Sequence, residues 1–164
     1  MSGLSRAQFL RGDWRNRAAP LRPPWALDEA DFIARCTRCD ACVERCPEHI
    51  LKAGRGGFPE TDFAAGACTF CGACAEACEP KALVRGAPGR AFPVAAAVGE
   101  ACLALGNVVC RSCSERCDAG AIRFRPALGG VSKPELDRAA CIACGNCVSA
   151  CPTGAISMTP LSPS

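Results

Sequence analysis

Tyrosine is absent from the 164-residue chain, histidine occurs once, methionine twice, and aromatic residues make up only 5% of it. So few large side chains leave little for a conventional core, and much of the 49% hydrophobic fraction is Ala and Cys, which bury little apolar area each. No stretch approaches the roughly 20 apolar residues needed to cross a bilayer. No secretory signal is legible either, because Arg6, Arg11, Arg15, Arg17 and Arg22 crowd the start with no apolar run after them. The stretch Ser5-Arg6-Ala7-Gln8-Phe9-Leu10-Arg11 has Ala7 where a twin-arginine motif needs its second arginine, and Gly12-Asp13-Trp14-Arg15 opens no apolar region, so export is not expected. A Gly-rich nucleotide loop is also missing, and 164 residues leave no room for a flavin or molybdenum domain. Substrate chemistry of the chain's own is therefore not expected.

What is there in quantity is cysteine, sixteen in all, about a tenth of the chain, a density at which a covalent or metal framework replaces part of the core. Disulfides would require an oxidising compartment, which the missing signal argues against. The cysteines fall into four groups: Cys36, Cys39, Cys42, Cys46; Cys68, Cys71, Cys74, Cys78; Cys102, Cys110, Cys113, Cys117; and Cys141, Cys144, Cys147, Cys151. Three of the four share the spacing C-x2-C-x2-C-x3-C, the bacterial ferredoxin run, completed by Pro47 and Pro152. Three thiolates two residues apart wrap one cuboidal cluster, and the fourth, further on, points to a second. Zinc sites instead pair two C-x2-C knuckles across a long gap, and a third cysteine at the same short interval has no use at a tetrahedral ion.

Repetition decides which motifs pair. Gly56-Gly57-Phe58-Pro59-Glu60-Thr61-Asp62 separates the first two groups, and Gly129-Gly130-Val131-Ser132-Lys133-Pro134-Glu135-Leu136-Asp137 separates the last two. Between the second and third groups lies only Gly86-Ala87-Pro88-Gly89-Arg90, which reads as a linker. The expected fold is α+β: two tandem dicluster ferredoxin-like halves of βαβ type, poor in regular structure, each with a Gly-Gly hairpin. The division is a basic N-terminal segment (1–30), a first half (31–86), a linker (87–101), a second half (102–158) and a tail (159–164). Leu51, Leu83, Ile122 and Ile156, each five positions after a fourth cysteine, are expected to cover the clusters.

The ferredoxin rule crosses ligands between paired motifs. It yields Cys36, Cys39, Cys42 and Cys78 for the first [4Fe-4S] cluster, and Cys68, Cys71, Cys74 and Cys46 for the second. The third takes Cys102, Cys110, Cys113 and Cys151, and the fourth Cys141, Cys144, Cys147 and Cys117. Spacing supports this crossing and leaves it open. The third group opens with C-x7-C, making an extra loop of residues 103–109 and a candidate labile site; Asp118 and Glu79 stand where proline follows the other fourth cysteines. His49 reads as a turn residue or a donor to cluster sulphur, Asp40, Asp62 and Asp137 as caps and turns, and Trp14 and Trp25 as anchors of the N-terminal segment. Each oxidised four-thiolate cluster carries about −2, so four turn the formal +3 into about −5 and make nucleic acid an improbable partner.

The chain resembles the NapF-type ferredoxins encoded with bacterial periplasmic nitrate reductases. The likeness lies in the cysteine comb, Arg22-Pro23-Pro24-Trp25, Cys36-Thr37-Arg38-Cys39-Asp40-Ala41-Cys42, the lengthened motif at Cys102-Leu103-Ala104, and Phe124-Arg125-Pro126 with Leu128. The resemblance implies a cytoplasmic protein with four [4Fe-4S] clusters. Its implied partner is the cytoplasmic precursor of the nitrate reductase catalytic subunit, which it assists in maturation before export. A plain electron carrier, or a wiring subunit of a larger oxidoreductase, is the alternative.

Overall fold

Motifs this dense in cysteine leave room only for short elements. The structure is a computed structural model that describes residues 20–86, 89–127 and 130–161. Helix α1 (Glu29–Arg35) begins where the Asp28 side chain accepts a hydrogen bond from the Asp31 N–H at 3.0 Å and ends at Cys36, burying only Phe32. Four one-turn helices each carry the third cysteine of a motif: α2 (Ala41–Glu44) Cys42, α3 (Ala73–Glu76) Cys74, α4 (Ser112–Glu115) Cys113, and α5 (Asn146–Ser149) Cys147.

All strand pairs are antiparallel. β1 (Leu51–Ala53) and β2 (Pro59–Thr61) form a hairpin with Leu51 opposite Thr61, closed by Gly56 and Gly57 at φ 62° and 78°. β4 (Ile122–Arg125) and β5 (Lys133–Leu136) form the equivalent hairpin with Ile122 opposite Leu136. β3 (Val94–Val98) pairs with β6 (Ile156–Pro160), Val98 facing Ile156. Each half thus runs strand, helix, hairpin, helix, strand. In the first half the outer strands shrink to one bridge, Ala26 with Leu83, flanked by the bonds Leu27 N–H to Ala82 at 3.1 Å and Val84 N–H to Trp25 at 2.9 Å. Pro23 and Pro24 have no N–H with which to extend that ladder.

Three boundaries differ from the sequence-based division. Residues 94–98, assigned to the linker, are the first strand of the second half. Phe92, in the same segment, is 1% exposed and sits edge-on to Phe63 (5.4 Å) and Phe70 (6.2 Å) of the first half. The Gly and Pro at 86–90 mark a turn, and the apolar run after it belongs to both cores. Residues 21–30 are built into the first half as well: the Thr61 N–H donates to the Leu21 carbonyl at 2.7 Å, and Arg22 pairs with Glu29 while its guanidinium lies over Phe32 and Phe58. Finally, β6 runs on into the segment assigned as tail. Trp14, Leu128 and Gly129 lie outside the described residues.

One buried group gathers Phe32, Ile50, Leu83 and Phe92 and also takes in Ala143 from the second half; the other gathers Ala95, Ala96, Ala121, Ile122 and Ile156. Val148 and Met158 pack against both. Among the described residues, no helix is long and apolar enough to cross a membrane.

Candidate metal centres

The three regular motifs share a backbone device. Two left-handed residues bracket the second cysteine: Arg38 and Asp40 (φ 60° and 58°), Phe70 and Gly72 (54° and 92°), Ala143 and Gly145 (59° and 85°). These reversals curl the loop so that three thiols face one space. A second device follows every fourth cysteine, whose carbonyl accepts the N–H three residues on. The bonds are His49 to Cys46 (3.1 Å), Lys81 to Cys78 (3.2 Å), Gly120 to Cys117 (2.9 Å) and Gly154 to Cys151 (3.2 Å). All four donors have positive φ, from 52° to 62°. Glu79 and Asp118 occupy the turn position that Pro47 and Pro152 fill elsewhere, so proline favours this turn without being required for it.

Four separate pockets result. One is lined by Cys36, Cys39, Cys42 and Cys78, a second by Cys46, Cys68, Cys71 and Cys74, a third by Cys102, Cys110, Cys113 and Cys151, and a fourth by Cys117, Cys141, Cys144 and Cys147. Each pocket therefore draws three thiols from one motif and one from its pair. The four are alike in size, about 340, 320, 350 and 320 Å³ in that order with the open mouth of each counted in. Leu83, Leu51, Ile156 and Ile122 form a wall of these pockets in the same order, each buried. The thiols surround a void instead of converging on a point. Among the described residues, no three His, Cys, Asp or Glu side chains are grouped to hold a single metal ion, and all sixteen cysteines are free thiols.

The electrostatics keep to this grouping at Cys42 and Cys147 and cross it elsewhere, since Cys42 also raises Cys74 and Cys144 also raises Cys68. Burial, and then the charges of Cys36, Cys78 and Cys39, push the Cys42 thiol up to about 11. Burial pushes Cys68 up to about 11 and Cys74 to about 12, with Cys46 adding to both. Cys147 is pushed up to about 12 by burial and then by Cys144, Cys141 and Cys117. Burial also raises Cys151, but hydrogen bonds from Thr153, Ala155 and Ile156 outweigh it and the net shift is downward. Four thiolates gathered in a low-dielectric pocket repel one another, and iron provides the compensating positive charge. Four sulphur donors, apolar walls and a void between them fit an iron-sulphur cube.

The extra loop at residues 103–109 is wound and tied. Gly106 N–H bonds Cys102 at 3.1 Å and Val108 N–H bonds Leu103 at 2.9 Å. Lys133 Nζ donates to the Ala104 carbonyl (2.7 Å), the Leu105 carbonyl (3.0 Å) and Asn107 Oδ1 (2.6 Å). Lys133 was legible in the sequence only as a hairpin residue, since its partners are distant in the chain. Arg85 was missed for the same reason: its Nη1 donates to the Cys71 carbonyl at 3.0 Å and its guanidinium lies over Trp25. Trp25 packs inward, edge-on to Phe70 at 6.4 Å. His49 is exposed on its turn. Asp62 and Asp137 are turn residues whose carboxylates accept the Ala64 and Ala139 N–H groups, whereas Asp40 precedes α2 without capping it.

Comparison with known proteins agrees. The family of 4Fe-4S dicluster domains matches twice, at residues 35–82 with eight of the cysteines and at 108–155 with seven, Cys102 standing just before the second match; two dicluster domains on a sixteen-cysteine chain correspond to four [4Fe-4S] clusters. The ferredoxin-type protein NapF of Escherichia coli K12 is 44% identical over 152 residues, covering 93% of this chain and 92% of the relative. That of Haemophilus influenzae is 40% identical over 98% of this chain and 97% of its own length. The methylamine utilization ferredoxin-type protein MauM of Methylorubrum extorquens is 30% identical over 94% of this chain and 78% of its own. The chain belongs to the NapF family of ferredoxin-type iron-sulphur proteins.

Proposed function

We propose that the protein is a one-electron carrier without substrate chemistry of its own, its clusters ligated in the crossed sets named above. It acts in the cytoplasm on the precursor of the periplasmic nitrate reductase catalytic subunit, assisting assembly or reduction of that subunit's iron-sulphur centre before export. The observation that carries the electron-transfer reading is the set of four like pockets, each ringed by four thiols and walled by aliphatic side chains. Supporting the choice of partner is the likeness to NapF proteins over nearly the whole chain.

The test has two parts. Anaerobically purified protein is expected to contain about sixteen iron and sixteen sulphide per chain and to give signals of coupled S = 1/2 clusters after reduction. Used as bait, it is expected to retain the unexported catalytic subunit. Zinc in place of iron defeats the electron-transfer reading; retention of a flavin or quinone enzyme instead of the nitrate reductase subunit replaces maturation with wiring.

A further inference from the structure

One of the places where the two halves meet brings the second and fourth motifs together, and it is not where chain order would put it. The Cys68 N–H, opening the second motif, donates to the Cys144 carbonyl, in the middle of the fourth, at 2.7 Å. Beside this bond, Phe63 lies so close over Gly145 that a Cβ there would enter its ring, and Gly145 is held at φ 85°. Ala143, on the same loop, is 1% exposed and buried within the first half's core. Cys68 lines the second pocket and Cys144 the fourth. A path of bonded atoms broken by one short hydrogen bond therefore joins a sulphur of one pocket to a sulphur of the other.

We propose that the Cys68–Cys144 junction, sealed by Phe63 on Gly145, is the passage for electrons between the halves, so that the sites are used in the order first, second, fourth, third. The inference rests on the electron-transfer reading above. Within each half the passage is built by the crossing itself, since Cys42 and Cys46, four residues apart, face the first and second pockets, and Cys147 and Cys151 face the fourth and third. One electron leaves the reduced second site and enters the oxidised fourth; no bond breaks and no proton moves. A one-electron donor protein supplies it at one end of the series and a one-electron acceptor protein removes it at the other. Arg85 lies over the loop of the second motif and Phe63 over that of the fourth, and in this order the first and third sites are the termini.

Paired deletions test the order. Cys39→Ala with Cys110→Ala leaves the second and fourth sites, and Cys39→Ala with Cys144→Ala leaves the second and third. With iron content confirmed for each, the reduced first variant is expected to show a spectrum split by spin–spin interaction and the second a plain sum of isolated signals. An unsplit first variant, or stronger splitting in the second, overturns the order. Hydrogen exchange of the unmodified holoprotein decides the matter if either variant fails to assemble. The Cys68 amide is expected among the last of the first half to exchange, and rapid exchange there overturns the junction. Absence of iron from the unmodified protein would instead defeat the electron-transfer reading, which separates the two failures.

Discussion

Arg85 shows how one side chain conditions a site it does not ligate. Its guanidinium spans the second motif's loop, bonding the Cys71 carbonyl at 3.0 Å and lying 5.5 Å from the centre of Trp25. Cys71 is exposed, so this is the side on which solvent reaches the second pocket. A reduced cluster carries one more negative charge than an oxidised one, and a neighbouring cation favours the reduced form. Arg85→Gln is therefore expected to lower the potential of one cluster. The arginine side chain is 52% exposed and lies 3.7 Å from Glu76, so solvent and the carboxylate screen it, and the effect is about 10–40 mV. A potentiometric titration followed by EPR checks this, and an upward shift would contradict the sign. Left-handed backbone at single residues shapes the same loops. Gly72 and Gly145 meet Arg85 and Phe63 directly, whereas Arg38, Phe70 and Ala143 adopt the same region despite a Cβ. That strain is held by the surrounding packing.

At the scale of elements, the lengthened third motif is a tied turn. Lys133, on β5, reaches across to fasten it with bonds of 2.6 to 3.0 Å. Lys133→Met keeps the stem and removes the charge, and is expected to accelerate iron loss under chelation severalfold, with about one quarter of the iron leaving first. Uniform release at the unmodified rate would mean that the loop is rigid without the lysine. The same loop leaves Val109 81% exposed beside the third pocket. The other decisive element is the segment joining the halves. Phe92 plugs into the first half and the next few residues become β3 of the second. Phe92→Ala is expected to lower stability by about 3–5 kcal/mol, read from the denaturant midpoint of the holoprotein.

Across the whole molecule, the apolar core is thin and continuous. Among the described residues, its largest fully buried side chains are Phe32, Phe92, Ile50, Leu83 and Pro23, and the core clusters take in cysteines that line the pockets. Without iron, the raised thiols stay protonated and the loops lose what they wrap. Chelation under reducing conditions is expected to unfold the chain in a single transition, since Ala143, Val148 and Met158 pack into the first half's core from the second. Circular dichroism that remained native after iron loss would refute this, and two well-separated transitions would show the halves to be independent.

Local chemistry is written in the order of residues: the number of motifs, their pairing by the repeated Gly-Gly and Pro-Glu-x-Asp segments, and the aliphatic residues that wall the pockets. These are short-range matters, because cysteine spacing sets how a loop curls and a glycine pair sets where a hairpin turns. The Gly and Pro near residue 88 were equally legible as a turn, but not the use of the residues after it, since Phe92 and β3 find their partners dozens of positions away. It took the folded chain to bring thiols of paired motifs into one pocket, to fasten the third site with Lys133, and to set the second and fourth sites back to back. Each depends on distant backbone brought together by burial of a few rings and aliphatic chains, and burial carries no spacing that a sequence displays.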